Sequence, residues 1–138
     1  MKHLLIAAMA GALVACGGGS GGEVTPDSAA KMSPIKLAES IADNMTRAAE
    51  MVNSIQSVAD AEAIKPELAE IGNQYTVQVT AMRSLDQSKI KDPEAFMQKQ
   101  MESANALAGF MSAMQDLQAR NVDAATAIMP ELRAFQPS

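Results

Sequence analysis

Cys16 carries the most distinctive chemistry in this 138-residue chain, because it is the only cysteine. A cysteine thiolate is a strong nucleophile that can be alkylated or acylated, but a lone cysteine cannot form a disulfide within its own chain. The residues before it, 4–14, are almost wholly apolar, and a run of glycine and serine occupies 17–22. These surroundings predict an attachment site at Cys16 rather than a catalytic centre.

The apolar run before Cys16 has the character of a secretory signal. It is about eleven residues long, whereas a membrane-spanning helix needs about twenty. It follows a short basic start and ends in small residues, as signal peptides do. Leu13-Val14-Ala15-Cys16 resembles the lipobox of bacterial lipoproteins. The resemblance implies that residues 1–15 are a signal peptide and that Cys16 carries a diacylglyceryl thioether and usually an N-linked acyl chain such as palmitate.

Acylation of Cys16 would anchor the chain to membrane lipid. Each buried CH₂ contributes about 0.8 kcal/mol, and one chain gives only reversible binding, so two or three chains hold a protein stably. Gly17 stands where an Asp would retain an enterobacterial lipoprotein at the inner membrane. We therefore expect a location in the cell envelope, at the outer membrane and facing the periplasm. The alternatives are an ordinary signal peptide that contains a cysteine, or a buried apolar segment.

Catalysis and metal binding by histidine are the chemistries that the sequence argues against most clearly. His3 is the only histidine and lies in the segment expected to be removed. Ser-His-Asp triads, Cys-His nucleophiles and ordinary zinc sites all need residues that the mature chain would lack. The acidic residues mostly lie off the apolar helix faces, and no pair is placed as a general acid and base. We predict no enzyme activity and no bound cofactor.

Methionine offers the remaining candidate chemistry. Thioethers are soft ligands for Cu(I), which would allow a periplasmic copper site. The favoured interpretation is that methionine packs an alanine-rich core or forms an adaptable binding groove. The candidate metal ligands lie on one broad face of the third long helix: Met97, Met101, Met111 and Met114.

The amino-acid composition limits the classes of partner that the chain is expected to bind. The chain has 11 basic and 16 acidic side chains. Loss of Lys2 with the signal peptide leaves ten basic against 16 acidic, a net charge of about −6. Nucleic-acid binding depends on clustered Lys and Arg, so none is expected. The expected partners are membrane lipid through Cys16 and a protein of the envelope.

The remaining residues predict an all-α fold with a flexible tether. We assign 16–32 to the lipidated cysteine and a Gly/Ser-rich tether, and 33–138 to a helical bundle domain. Ser33-Pro34 and Asp92-Pro93 are helix-start signatures, and Asp60 can cap another helix. The prediction is an antiparallel bundle of three long helices plus a shorter fourth one at the C-terminus. The predicted helices cover 34–58, 61–85, 93–119 and 123–135.

Apolar spacing and an internal repeat support this organisation. The first helix has apolar residues at steps of three and four, which is typical of a bundle. They are Ala38, Ile41, Met45, Ala48, Val52, Ile55 and Ala59. Val58-x-x-Ala61-x-Ala63-Ile64-x-Pro66-Glu67-Leu68 recurs at Val122-x-x-Ala125-x-Ala127-Ile128-x-Pro130-Glu131-Leu132. We interpret this as a duplicated helical hairpin whose second copy is cut short. Pro66 is expected to kink its helix or mark its real start, and Pro130 is expected near the middle of the last helix.

Ile41-Ala42-Asp43-Asn44-Met45, together with the order of helix starts and breaks, resembles the small soluble periplasmic b-type cytochromes, which are four-helix bundles. In that family the methionine of the first helix is an axial haem ligand, which would be Met45 here. The family's second ligand is a histidine near the end of the last helix, where this sequence has Phe135-Gln136-Pro137-Ser138. The resemblance supports the fold more than haem binding.

The leading functional hypothesis is a membrane-anchored, non-enzymatic lipoprotein with a structural or partner-binding role. The alternative is a periplasmic carrier of haem, copper or a small apolar molecule that uses a methionine-rich bundle.

Overall fold

The computed structural model describes residues 24–135. This range contains five α-helices and two short 3₁₀ segments, and no strand occurs in it, so the prediction of an all-α fold is confirmed. Cys16, the expected lipobox and the expected signal peptide lie outside the described residues. The helices are α1 (Pro26–Lys31), α2 (Pro34–Asn53), α3 (Val58–Arg83), α4 (Pro93–Arg120) and α5 (Val122–Leu132), with 3₁₀ segments at Gln87–Lys89 and Arg133–Phe135.

Helix α1 lies within the stretch that the sequence predicted to be tether, and no helix was expected there. Thr25 caps α1 by accepting a hydrogen bond from the Ser28 amide, and the Ser28 hydroxyl accepts one from the Thr25 amide. Ala29 is buried where α1 packs on α3. The reciprocal cap and this tertiary contact order a short helix that would be marginal alone.

The expected helix starts occur at Pro34 and Pro93, and Ser33 and Asp92 cap these two helices. Helix α2 ends at Asn53, before the end at residue 58 that the sequence predicted. Ser57, rather than Asp60, caps α3. The Ser57 hydroxyl accepts a hydrogen bond from the Asp60 amide. The Asp60 carboxylate instead accepts one from the Gln56 amide at 3.0 Å, which ties the turn to the helix.

Pro66 and Pro130 both lie inside a helix, and neither marks a helix start. Each is the ninth residue of its helix, counted from Val58 in α3 and from Val122 in α5. Helix α3 continues far past its proline, to Arg83, whereas α5 ends soon after its own, at Leu132. The repeated sequence thus begins two helices in the same way, and the second of them is truncated.

Contacts between the helices define their relative directions. Asn44 and Arg47 of α2 contact Gln78 and Glu67 of α3, so residue numbers rise along one helix as they fall along the other. In the α2–α4 pair, residue numbers rise in the same direction along both helices. Ser103 donates to the Ala38 carbonyl at 2.7 Å, and Arg120 donates to the Ile55 carbonyl. Helix α5 packs on both α3 and α4.

The core lies between these four helices and is built from aliphatic, alanine and a few aromatic side chains. The apolar positions predicted to face the core are buried from Ala38 in α2 to Ile55 just after it, and Ala59 is exposed. Residues 75–80, which include several β-branched side chains, are helical as predicted and bury Tyr75 and Gln78. Within residues 24–135, none of the helices combines the length and hydropathy needed to cross a membrane.

Candidate binding surface on helices α4 and α5

Large apolar side chains that are exposed in this structure concentrate on two helices. Five of the six within residues 24–135 belong to α4 and α5, and Val58 of α3 is the sixth. Single exposed apolar residues are common on proteins, but contiguous ones mark binding surfaces. The five residues are Met97, Met101, Met111, Val122 and Met129.

The sequence allowed the methionines of α4 either to pack in the core or to form a binding groove, and three of them do not pack in the core. Met97, Met101 and Met111 are 62%, 64% and 57% exposed, whereas the buried positions of this helix are Phe96, Phe110, Ala113 and Leu117. Apolar residues surround α4 on several sides, so the spacing alone cannot show which side faces the core. The buried side of α4 is the one that carries Ser103, because α2 packs against that side.

The exposed side of α4 carries a regular row of apolar residues, which we call the methionine stripe. Its spacing is four, three, four and three residues, the pattern of a helix that packs along another helix. All five members are exposed: Met97, Met101, Ala104, Ala108 and Met111.

A groove of about 480 Å³ adjoins the stripe and lies between α4 and α5. We call it the α4–α5 groove. Met111 belongs to both features, so the stripe and the groove form one continuous apolar surface. The groove is lined by Leu107, Phe110, Met111, Met114, Gln115, Gln118, Val122, Ala125, Thr126, Met129, Leu132 and Phe135.

Aromatic packing forms the floor of the α4–α5 groove. The rings of Phe110 and Phe135 stack with centroids 4.9 Å apart, and the Tyr75 ring lies 5.9 Å from that of Phe135. Phe135 is held because the carbonyl of Ala134 accepts a hydrogen bond from the Thr76 hydroxyl. Stacked rings give a rigid apolar base beneath flexible methionine side chains.

Charge is nearly absent from the stripe. Between residues 97 and 111 the only charged side chains are Lys99 and Glu102. The Lys99 ammonium donates to the Glu102 carboxylate at 3.0 Å and lies 3.6 Å from that of Glu39 on α2. The hydrogen bond to Glu102 and the nearby negative charges raise the pKa of Lys99. The two charges compensate each other, so the surface is close to neutral.

The four methionines proposed as metal ligands are not brought together. At 1.5 Å rise per residue, Met97 lies about 21 Å from Met111 along α4, too far to share an ion. Met111 and Met114 both line the α4–α5 groove, where Met129 joins them from α5. No group of three His, Cys, Asp or Glu side chains suited to a metal occurs among residues 24–135.

Met45 lies in the core with none of its surface exposed. It packs within the buried cluster between the helices and does not line the α4–α5 groove. Haem ligation by its thioether would require the core to open, and residues 24–135 contain no histidine as a second ligand.

Sequence reasoning missed the contribution of α5 to this surface. Val122 was noted as part of the repeat and Phe135 as part of the last helix, Met129 was not singled out, and none of the three was expected beside Met111. The usable signal was the high apolar content of α5, which carries exposed apolar residues as well as buried Ala124, Ala125 and Ile128. A short helix that is apolar on several sides has more apolar surface than its own domain covers.

No protein-family model matches this chain, and neither the curated proteins nor the solved structures searched contain a significant match.

Proposed function

We propose that this chain is a lipid-anchored, non-enzymatic protein of the bacterial cell envelope that binds a protein partner through α4 and α5. The observation that carries the proposal is the continuous apolar surface formed by the methionine stripe and the α4–α5 groove. Five of six exposed large apolar side chains of the described range lie on these two helices. Interaction sites are distinguished by such patches with few charged residues at their centre.

The anchor part of the proposal rests on the lipobox at Cys16. The mature chain would begin with the acylated cysteine, and Gly17 favours sorting to the outer membrane. The described part of the domain begins just before α1, so residues 16–24 are available to connect the lipid to it. Fully extended, these nine residues span at most about 32 Å. The binding surface would therefore act close to the membrane surface.

The arrangement of the helices is also part of the proposal. We describe the domain as two helical hairpins, α2–α3 and α4–α5, each antiparallel, with the first helices of the two hairpins side by side. The contacts of Asn44 with Gln78 and of Ser103 with Ala38 support this description. Pro66 in α3 and Pro130 in α5 are each the ninth residue of their helix, which also supports this description. Helices α2, α3 and α4 are the long ones of this arrangement, and α5 is shorter.

The absence of an enzymatic role is supported by the kinds of residue that are present. Residues 24–135 have neither histidine nor cysteine, and their acidic side chains are mainly exposed, several of them in ion pairs. The α4–α5 groove is lined by apolar side chains and by the uncharged Gln115, Gln118 and Thr126. Such a lining suits the apolar face of a helix, which is a common mode of peptide recognition.

The anchor is tested by comparing the full chain with its Cys16→Ser variant in a bacterial host. We expect the unaltered chain in the membrane fraction, with an N-terminal peptide that begins at acylated Cys16 in mass spectrometry. The variant should lose the acyl mass and leave the membrane fraction. An unprocessed N-terminus at Met1 in the unaltered chain would contradict the anchor.

The binding surface is tested by placing a photo-crosslinking amino acid at Met101 in the full, membrane-bound protein. The matched control places the same group at Asn73, an exposed position of α3. We expect a discrete protein adduct from position 101 and none from position 73. Equal labelling from both positions, or no adduct from either, would contradict a specific surface on α4 and α5.

A second candidate function is a carrier of Cu(I) or a small apolar molecule. The observation in its favour is that Met111, Met114 and Met129 line one groove, since thioethers bind Cu(I) and the groove is otherwise apolar. Cu(I) titration against a chelator should then give one tight site in the unaltered chain. The triple change of these residues to leucine should abolish it, while changing Met97 and Met101 to leucine should leave it intact.

A further inference from the structure

The proposed function leaves the partner open, and the stripe itself constrains what the partner is. We propose that the partner is a second copy of this chain, whose α4 packs antiparallel on the methionine stripe across a twofold axis near Ala104. This inference rests on the proposed function, because it uses the same surface. It adds the identity of the partner, the direction of its helix and the residue at the centre.

The stripe is nearly symmetric about Ala104, with Met97 and Met111 at equal distances on either side. An antiparallel second helix would place Met97 against Met111 of the second copy at each end. Met101 would meet Ala108 of the second copy, so that a long side chain faces a short one. A parallel helix would instead place Met101 against Met101 of the second copy. A twofold interface requires this kind of self-complementary surface.

The sizes of these side chains suit a close helix crossing. Small residues at the centre allow two helix axes to approach within about 8–10 Å, and long side chains at the ends fill the space where the helices diverge. Ala104 and Ala108 are exposed and occupy the centre, while Met97, Met101 and Met111 are more than half exposed around them. Flexible methionine side chains adapt readily to such a contact.

The residues beside the stripe are polar but uncharged, which lowers the cost of desolvating them in an interface. An ordinary solvated helix face carries many charged residues of both signs. The flanking positions instead hold glutamine, asparagine and serine: Gln98, Gln100, Asn105, Ser112 and Gln115.

The charges of α4 are compatible with contact between two copies. Two chains of the same net negative charge repel each other unless their contact surface is neutral. Lys99 and Glu102 compensate each other, and Lys99 also lies 3.6 Å from Glu39 on the side covered by α2. The next charged residues of the helix, Glu94 and Asp116, lie beyond the two ends of the stripe. The contact therefore brings no like charges together at its centre, and the acidic residues that an antiparallel pairing places near each other, Glu94 and Asp116 of the second copy, lie at its two ends.

Membrane attachment favours a second copy as the occupant. Residues 16–24 would hold each domain within about 32 Å of its lipid anchor, which confines all copies to one thin layer and raises their effective concentration. A twofold axis normal to the membrane maps the bilayer surface onto itself, so both anchors insert into the same leaflet. The dimer would lie with its α4 helices parallel to the membrane.

The test is a disulfide crosslink at the proposed axis. Ala104→Cys is introduced in the full, lipidated protein in its native membrane, where Cys16 is expected to be acylated. A disulfide needs Cα atoms about 4.4–6.8 Å apart, which the two copies of residue 104 would satisfy. The matched control is Asn73→Cys, exposed on α3. We expect a crosslinked dimer several-fold more abundant for position 104 than for position 73 on non-reducing gels.

The direction of the second helix is tested at the ends of the stripe. Two chains with different tags, one carrying Met97→Cys and the other Met111→Cys, are produced in the same cells. An antiparallel contact should give mixed dimers that contain both tags. Dimers that contain a single tag, and no mixed ones, would overturn the antiparallel direction.

A further change tests whether the stripe drives the association. Adding Met101→Glu to Ala104→Cys should remove most of the crosslinked dimer, because it places like charges in an apolar contact, whereas Met101→Leu should retain it. Equal crosslinking at positions 104 and 73, or none at either, would overturn self-association. If the photo-crosslinker at position 101 then labels a different protein, partner binding stands and only the identity of the partner is wrong. If it labels nothing, both proposals fail.

Discussion

The side-chain amide of Asn44 on α2 donates a 2.9 Å hydrogen bond to Oε1 of Gln78 on α3, and both residues are buried. The amide nitrogen of Gln78 in turn donates to the Ser40 hydroxyl at 2.6 Å. These bonds satisfy two polar side chains in a largely aliphatic core. They also select one register between the two helices, because a shift by a helical turn would leave both side-chain amides without hydrogen-bond partners.

Changing Gln78 to leucine should destabilise the fold by about 1–3 kcal/mol, because Asn44 would lose its buried partner. Changing both Asn44 and Gln78 to leucine should recover much of the loss, since neither polar group then stays unsatisfied. Urea unfolding of the single and double variants measures the coupling between the two sites. Additive losses in the double variant would show that the hydrogen bond does not couple them.

Gly72 and Gly109 provide a matched pair of helical glycines. A Cβ at Gly72 would lie 2.7 Å from the Ala134 Cβ and 2.9 Å from Phe135 Cε2, whereas one at Gly109 would meet no atom within 4 Å. Gly72→Ala should therefore destabilise by about 1–3 kcal/mol through overpacking. Gly109→Ala should stabilise by up to about 1 kcal/mol through helix propensity. Thermal unfolding should move the two melting temperatures in opposite directions.

Arg120 at the end of α4 closes the C-terminus of α2. Its guanidinium donates to the Ile55 carbonyl and, at 3.2 Å, to that of Val52. These carbonyls lie in the last turn of α2 and just after it, at the negative end of the helix dipole, where a cation is favoured. Arg120→Ala should cost about 1–2 kcal/mol of unfolding free energy, measured by urea denaturation. Arg83→Ala, an exposed change at the end of α3, is the control and should stay within about 0.5 kcal/mol. Equal losses would contradict a specific role for Arg120.

Met45 and Met101 should respond very differently to truncation. Met45 is completely buried, so Met45→Ala leaves a cavity and should cost about 2–5 kcal/mol. Met101 is 64% exposed, so Met101→Ala should change stability by about 0.5 kcal/mol or less. Chemical denaturation at low protein concentration, where any dimer dissociates, isolates the effect on the folded monomer. A large loss for Met101→Ala under that condition would mean that the stripe packs within its own chain.

The sequence by itself determined the features that depend on neighbouring residues. Ser33-Pro34 and Asp92-Pro93 begin helices because caps and fixed proline angles act within one turn. The spacing from Ala38 to Ile55 identified the buried side of α2, since that helix has one apolar face.

Only the tertiary structure decided which apolar face of α4 is covered. Local spacing is the same for a core face and a docking face, so Met97, Met101 and Met111 could not be told from Phe96 and Phe110 until the position of α2 was known. The ordering of α1 and the burial of the Asn44–Gln78 pair likewise depend on partners distant in sequence. A side chain's pattern follows from its neighbours in the chain, but its burial depends on which helices pack against it.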